Sequence, residues 1–312
     1  MFVYGRDIFL LFIGTQLVSA SQAVLVSRVL GLDAAAAWSV CTRVFMVMTQ
    51  LVYRVFDFSC AALAEMIVRK EMERLLHRFK SIVVLSASLG MIGAVIIAAC
   101  NSAFVAVWTG GRIQWPVVND SLLAVWLVVC MITHAHVGLV GQTKDFRLLS
   151  YVFLLEGVFF VSGSLWALGS SGLPGMLAVS VAGTMLFSMP YALWRTGRLF
   201  QVPFLTVAVR WIWPSLRLGA MMGPVAVIVW LATHSLPSAA QFVVNGAVLG
   251  LSGAVLFFRF GLEESLTVEL LGRCPAWLKP VLSRLCGRNV IEAIANRASA
   301  GGESSGSATS RR

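Results

Sequence analysis

The feature that most constrains this chain is a series of eight apolar runs, each long enough to cross a lipid bilayer. A helix needs roughly 20 mainly apolar residues to cross a hydrocarbon core of about 30 Å. The runs, numbered here as spans 1 to 8, are Ile8–Val29, Ala35–Cys60, Ile82–Trp108, Val117–Val140, Leu149–Leu168, Leu173–Trp194, Leu218–His234 and Gln241–Phe260. The sequence therefore predicts an all-α fold: a polytopic membrane helix bundle of about eight transmembrane helices over residues 1–260.

The composition supports a membrane protein. Apolar residues make up 58% of the chain and charged residues only 12%, against about 45–50% and about 25% in soluble domains. The net charge of +10 does not point to nucleic acid as a partner, because basic residues in membrane proteins set orientation and contact anionic lipids. After span 8, residues 261–297 are predicted to form amphipathic helices on the membrane surface, and residues 298–312 a disordered tail.

The charges in the loops predict the orientation. Lys and Arg cluster after spans 2, 4, 6 and 8, whereas the loops after the odd-numbered spans hold only Arg28 and Arg112. Since cytoplasmic loops carry the excess of basic residues, we expect both termini in the cytoplasm. The charged segment Glu65–Lys80 is predicted to be a short surface helix that joins spans 2 and 3.

Span 2 carries a stripe of polar residues on one helix face. At about 100° per residue around the helix axis, the side chains of the stripe all point in nearly the same direction. They are Ser39, Arg43, Gln50, Arg54 and Asp57. An ionisable group at the bilayer centre costs about 2.5–3.5 kcal/mol on insertion scales and normally faces a bundle interior or an aqueous cavity. We therefore expect Ser39, Arg43, Gln50 and Arg54 to line a substrate-binding cavity.

Two acidic residues accompany this stripe. Asp57 is a candidate counter-ion, and Arg54 has a second interpretation as its i,i+3 ion-pair partner near the inner interface. Glu156 lies in span 5, roughly two turns from the cytoplasmic side. It is either the counter-ion of Arg43 or Arg54 or a carboxylate that couples transport to protons, and the sequence leaves both roles open.

No metal site, cofactor or catalytic residue is expected. The six cysteines contain no CxxC pair and are interpreted as packing thiols. His134 and His136 are two residues apart, so they point to different helix faces and cannot chelate one metal as an i,i+4 pair can. The sequence also lacks a glycine-rich phosphate loop and a nucleophile–base set, so an enzyme is not predicted.

Several segments resemble one family in order and spacing. Ser27–Glu65, SRVLGLDAAAAWSVCTRVFMVMTQLVYRVFDFSCAALAE, resembles the opening of the second half of polysaccharide (O-antigen type) flippases of the multidrug/oligosaccharidyl-lipid/polysaccharide exporter superfamily. The resemblance continues through NSAFVAVWTGG (Asn101–Gly111), the basic pair Lys144 and Arg147, LEGVFFVSGSL (Leu155–Leu165) and SGLPGMLAVSVAG (Ser171–Gly183). It covers the chain from about Ser21 to Arg198.

This resemblance implies a fold and a function. Such flippases have twelve to fourteen spans in two lobes around a central cavity, so the chain would correspond to the C-terminal lobe, spans seven to fourteen. It would lie in the inner (plasma) membrane and export a polyprenyl-diphosphate-linked glycan by alternating access. Arg43 and Arg54 would bind the diphosphate, and Glu156 would balance or couple the charge. The partners would be membrane lipids and a partner lobe or a second copy of the chain.

Three other functions are kept as alternatives. A drug or metabolite antiporter of the same superfamily would need more acidic than basic groups in its cavity, and the deep groups in this sequence are mainly basic. A membrane glycan polymerase or ligase would need a sizeable outer loop, and the longest one predicted lies around Gly110–Pro116. A non-transporting accessory lobe is favoured by the resemblance to one half of a transporter.

Overall fold

The fold is a bundle of α-helices. The computed structural model describes residues 2–262 together with Thr267 and Pro275. The eleven helices of this part are α1 Phe2–Ser19, α2 Ser21–Leu30, α3 Leu32–Cys41, α4 Arg43–Asp57, α5 Cys60–Val68, α6 Met72–Thr109, α7 Val117–Gln142, α8 Arg147–Leu186, α9 Ser188–Phe200, α10 Trp213–Thr233 and α11 Ser238–Leu256, with π-helical turns at Thr206–Arg210 and Phe257–Gly261. Residues 2–262 contain no strand. The predicted all-α membrane bundle is confirmed.

In the described part of the chain, six helical stretches are long and apolar enough to cross a membrane, and they contain seven of the eight predicted spans. One stretch, Arg147–Phe200, contains both span 5 and span 6. Span 2 falls below the length criterion because it consists of α3, α4 and α5, which are interrupted at Thr42 and at Phe58–Ser59. Eight passes of the chain therefore remain consistent with the structure.

Helix α8 reverses direction at Gly172. This residue has φ 65° and ψ −148°, a non-helical conformation with positive φ that glycine adopts without steric penalty. The two halves of α8 then run antiparallel, since the Thr184 hydroxyl reaches back to Glu156. Spans 5 and 6 consequently form a tight hairpin.

The packing directions agree with alternating passes. Phe45 stacks on Trp126 with ring centroids 4.9 Å apart, and Tyr53 stacks on His134 at 3.6 Å. Both pairs join spans 2 and 4 at the same sequence offset, so the two spans are parallel, as two even-numbered passes must be. Consecutive spans that ran in the same direction would have contradicted the predicted topology.

Helix α6, which is span 3, is the central helix of the bundle. It packs against α4, α7, α10 and α11. Small residues allow close approach: a Cβ added to Gly93 would lie 3.1 Å from the Leu127 side chain. Polar groups also fix this helix, since Asn245 Nδ2 donates to the Ala99 carbonyl at 3.0 Å and Ser88 Oγ donates to the Gly261 carbonyl at 2.7 Å. Spans 7 and 8 are therefore attached through span 3.

One predicted element is wrong, and two cannot be compared with the structure. The segment Glu65–Lys80 is not a separate surface helix, because α5 continues to Val68 and α6 begins at Met72. Its charged residues extend the two membrane helices beyond the apolar core, with a turn between them in which Lys70 has φ 59°. The predicted amphipathic segment 261–297, apart from its first two residues and two isolated positions, and the tail 298–312 lie outside the described residues.

Candidate functional site

A cleft lies between spans 1 and 2. They meet at the Gly31 turn (φ 93°), where α2 and α3 pack together, but α1 and α4 form no packed interface. The resulting cleft holds a cavity of about 470 Å³. Its lining comes from spans 1, 2, 4, 5 and 6: Thr15, Val18, Ser19, Gln22, Trp38, Thr42, Phe45, Met46, Thr49, Gln50, Tyr53, Trp126, Cys130, Thr133, His134, Val137, Phe153, Glu156, Thr184 and Ser188.

Three faces of span 2 lie in different environments. Phe45, Val52 and Phe56 are buried against spans 3 and 4. Thr42 and Tyr53 project toward the cavity, about 100° around the helix axis from the polar stripe at 100° per residue. The stripe itself is the third, exposed face of the helix. The face that lines the cavity and the face that carries the stripe are therefore adjacent on one helix.

Of the four residues predicted to line the cavity, only Gln50 does so. Ser39, Arg43 and Arg54 lie on the exposed face of span 2. The periodicity placed these residues correctly on one face, but it could not tell which face the bundle covers. Among the described residues, Arg43 has neither an ion-pair nor a hydrogen-bond partner. A substrate-binding role for Arg43 and Arg54 therefore requires a ligand or lobe outside this bundle.

Arg54 has the partner that its second interpretation expected. Its Nη1 lies 3.9 Å from Asp57 Oδ2, and both side chains are largely exposed (65% and 41%). Asp57 also approaches span 4, with Oδ1 3.3 Å from His134 Nε2. An exposed ion pair of this kind stabilises a protein by at most about 1 kcal/mol. Arg54 therefore remains available to a ligand.

Glu156 is buried beside the cavity and contacts neither arginine. Only 4% of its surface is exposed, and its Oε1 accepts a hydrogen bond from the Thr184 hydroxyl at 2.9 Å. The hydroxyl and backbone N–H of Ser188 lie against the same carboxylate. No hydrogen bond of good geometry reaches Oε2 in the described structure. The proposed counter-ion pairing with Arg43 or Arg54 is not formed within this lobe.

Aromatic side chains form part of the cavity wall, and none of them was predicted from the sequence. Tyr53 and His134 stack nearly parallel, with 7° between their ring planes, and Phe45 and Trp126, which also line the cavity, stack with 16° between theirs. Such residues in an apolar helix look like ordinary packing residues, and only the cavity distinguishes them. His136 packs inside the bundle: it is fully buried, and its Nδ1 lies 2.9 Å from the Thr196 hydroxyl.

A second polar cluster, also missed, ties spans 2, 3 and 4 together near their predicted outer ends. The fully buried Asp120 accepts hydrogen bonds from Trp115 Nε1 at 2.7 Å, from Asn101 Nδ2 at 2.6 Å and from the Ser102 hydroxyl. Asn101 Nδ2 donates also to the Cys41 carbonyl at 3.0 Å. Because the carboxylate already has three donors, this cluster is structural rather than a ligand site.

Protein-family models, curated proteins and solved structures give no match to this chain. Within the described part of the chain, no three His, Cys, Asp or Glu side chains come together as a metal site would require. The cavity and the neighbouring exposed stripe of span 2 are therefore the candidate functional site.

Proposed function

We propose that this chain forms one lobe of an alternating-access transporter that exports a lipid-linked saccharide across the inner membrane. The observation that supports the proposal most is the exposed face of span 2, which carries Arg43 and Arg54 beside an open intramembrane cleft. Secondary transporters place their substrate between two repeats that rock against each other. In this proposal the stripe faces a second lobe, supplied by the same or another polypeptide.

The energetics of arginine in a bilayer favour this arrangement. An arginine near the centre of a membrane helix costs about 2.5–3.5 kcal/mol on insertion scales. Arg43 has no compensating carboxylate among the described residues, so its exposure to lipid would be destabilising. A water-filled space between two lobes removes this cost. A diphosphate in that space could accept two parallel hydrogen bonds from the guanidinium group of Arg43, whose geometry matches phosphate oxygens.

The shape of the cleft fits a lipid-linked substrate. Spans 1 and 2 are joined at Gly31, and the gap lies between α1 and α4. With both termini in the cytoplasm, this gap opens toward the inner side, where export would begin. A polyprenyl tail can stay in the bilayer at such a lateral gap while the polar head group enters the cleft. Gln50, which borders both the cavity and the stripe, would contact the head group.

An export assay tests this proposal. In a strain that depends on this chain for glycan-lipid export, Arg43→Ala should lower export about tenfold, since loss of a charge-assisted hydrogen bond is worth roughly 1.4 kcal/mol or more. Arg112→Ala is the matched control, because Arg112 is an exposed arginine on an outer loop. Arg43→Lys should restore only part of the activity, as lysine lacks the fork. Equal export by the Arg43→Ala and Arg112→Ala proteins would contradict a role for Arg43 in substrate binding.

One observation favours the antiporter alternative. The described residues that line the cavity include Glu156 but no lysine or arginine, which reverses the basic character expected from the sequence. An antiporter for cationic compounds would use such a cavity without needing Arg43. Full activity of Arg43→Ala combined with loss of activity in Glu156→Gln would favour this second function.

A further inference from the structure

A second cavity lies between the predicted cytoplasmic ends of spans 4 and 6, beside the loop that joins spans 4 and 5. Its volume is about 500 Å³, and it shares no lining residue with the cleft between spans 1 and 2. The exposed or partly exposed residues of its lining are Thr143, Asp145, Arg195, Arg198 and Leu199. The cavity therefore presents charged side chains where the helices leave the apolar core.

Two arginines about one helical turn apart border this cavity, and a neighbouring side chain holds each of them. Arg195 Nη2 donates to Asp145 Oδ2 at 2.6 Å, and only 24% of the Arg195 side chain is exposed. The guanidinium carbon of Arg198 lies 4.8 Å from the centre of the Trp194 ring. Among the described residues no carboxylate pairs with Arg198. Arg198 therefore offers an ordered cation to an anionic ligand.

Membrane orientation alone does not explain this arrangement. Orientation requires positive charge on cytoplasmic loops but no cavity, and Arg217 supplies such charge without lining one of the cavities described above. Arg195 and Arg198 instead border the same cavity, and the adjoining loop adds the exposed Lys144 and Arg147. Basic pockets between membrane helices on the cytoplasmic side bind the head groups of anionic lipids.

The cavity also contains hydrogen-bond acceptors, which narrow the class of ligand. The ion pair with Arg195 uses Oδ2 of Asp145 and leaves Oδ1 to accept from another donor. The Thr143 hydroxyl donates to the Val140 carbonyl at 2.7 Å, so its oxygen can only accept a further bond. A phosphodiester has no donor for these acceptors and is repelled by Asp145. Hydroxyl groups beside the phosphate would satisfy them.

We propose that this cavity binds the head group of an anionic phospholipid that carries free hydroxyl groups, as phosphatidylglycerol does. Arg195 and Arg198 donate to the phosphate oxygens. Asp145 and Thr143 accept from the hydroxyl groups. A volume of about 500 Å³ is within the range of roughly 300–1,000 Å³ typical of pockets for small organic ligands. The bound lipid stays in the inner leaflet, so the site goes beyond the proposed export of a lipid-linked saccharide.

Native mass spectrometry of the full chain in detergent tests this proposal, because it resolves a single bound lipid by mass. Dihexanoyl-phosphatidylglycerol would be compared with three probes: dihexanoyl-phosphatidylmethanol, which has the same charge but no hydroxyl group, zwitterionic dihexanoyl-phosphatidylcholine, and inorganic phosphate. We expect phosphatidylglycerol to bind about threefold or more tightly than phosphatidylmethanol, through its hydroxyl hydrogen bonds. It should bind at least about tenfold more tightly than phosphatidylcholine or inorganic phosphate.

Two variants test the roles of the side chains. Arg198→Gln should weaken phosphatidylglycerol binding about fivefold or more. Arg217→Gln is the matched control, because Arg217 is also exposed and stacks on an aromatic ring, that of Phe260 at 4.7 Å, but lies outside the cavity. Asp145→Ala should abolish the preference for phosphatidylglycerol over phosphatidylmethanol, an effect that loss of a purely structural ion pair would not produce.

Four results would each overturn the proposal. They are equal binding of phosphatidylglycerol and phosphatidylmethanol, equal binding of inorganic phosphate, equal weakening by Arg198→Gln and Arg217→Gln, and unchanged binding by Arg198→Gln. The comparison of lipids uses the unaltered chain, so it decides the proposal even where a variant fails to fold. The experiment contains no lipid-linked saccharide, and its failure would leave the role of Arg43 in export untouched.

Discussion

Replacement of Asp120 by alanine should destabilise the bundle more than any other single carboxylate substitution outside the cavity. Asp120 is fully buried and accepts hydrogen bonds from Trp115, Asn101 and Ser102. Hydrogen bonds between membrane helices contribute on average about 0.6 kcal/mol, with a maximum of about 1.7 kcal/mol, by double-mutant cycles. Loss of three such bonds therefore predicts a decrease of about 2 to 5 kcal/mol in the free energy of unfolding.

Unfolding with sodium dodecyl sulfate, followed by circular dichroism in mixed micelles, measures this decrease. Asp33→Ala is the control, because it removes the same charge from an exposed position near the outer end of span 2 and should cost no more than about 0.5 kcal/mol. The double variant Asn101→Ala/Asp120→Ala should destabilise by less than the sum of the single variants, since both remove one shared bond. A change within 0.5 kcal/mol of wild type for Asp120→Ala would refute the structural role of this cluster.

Two further predictions concern helix packing and topology. A Cβ on Gly14 would clash with the backbone of Phe153, whereas a Cβ on Gly5 has no neighbour within 4 Å. Gly14→Leu should therefore strongly lower the yield of folded protein, judged by size-exclusion chromatography, and Gly5→Leu should not. Equal yields would contradict the close crossing of spans 1 and 5. Reporter fusions at Gly111 and Thr143 should report opposite sides of the membrane, because one pass separates them, and the same side for both would contradict the predicted topology.

The sequence was sufficient for the architecture because hydropathy is a strong, local signal in membrane proteins. Length and apolarity located the helical stretches that could cross a membrane, and the polar residues of span 2 share one face as the helical period required. The internal breaks of span 2 were not predicted. Thr42 bonds back to the Trp38 carbonyl at 2.8 Å, and threonine in an apolar run gives no reliable sign of such an interruption.

The candidate site was predicted less well, because it depends on which helix faces meet. Periodicity identified Arg43 as a member of a polar face, but only the packing of spans 3 and 4 against Phe45 and Phe56 turned that face outward. Glu156 was singled out from the sequence as an acidic residue of span 5, and the structure buries it. Its partner Thr184 lies across a hairpin that the sequence alone did not place. Long-range pairing of this kind is not encoded in local periodicity.

Cross-linking from the exposed face of span 2 tests the central claim most directly, that this face meets a second lobe. In a protein whose six native cysteines are replaced, Gln50→Cys would be treated with a short bifunctional maleimide in native membranes. Trp166→Cys is the control, since Trp166 is 77% exposed on span 5, away from the stripe. The account predicts a cross-linked species of higher mass from position 50, identified by mass spectrometry through the peptide that carries it, and none from position 166. Equal cross-linking from both positions, or efficient export by a chain shown to be monomeric with no second lobe, would contradict it.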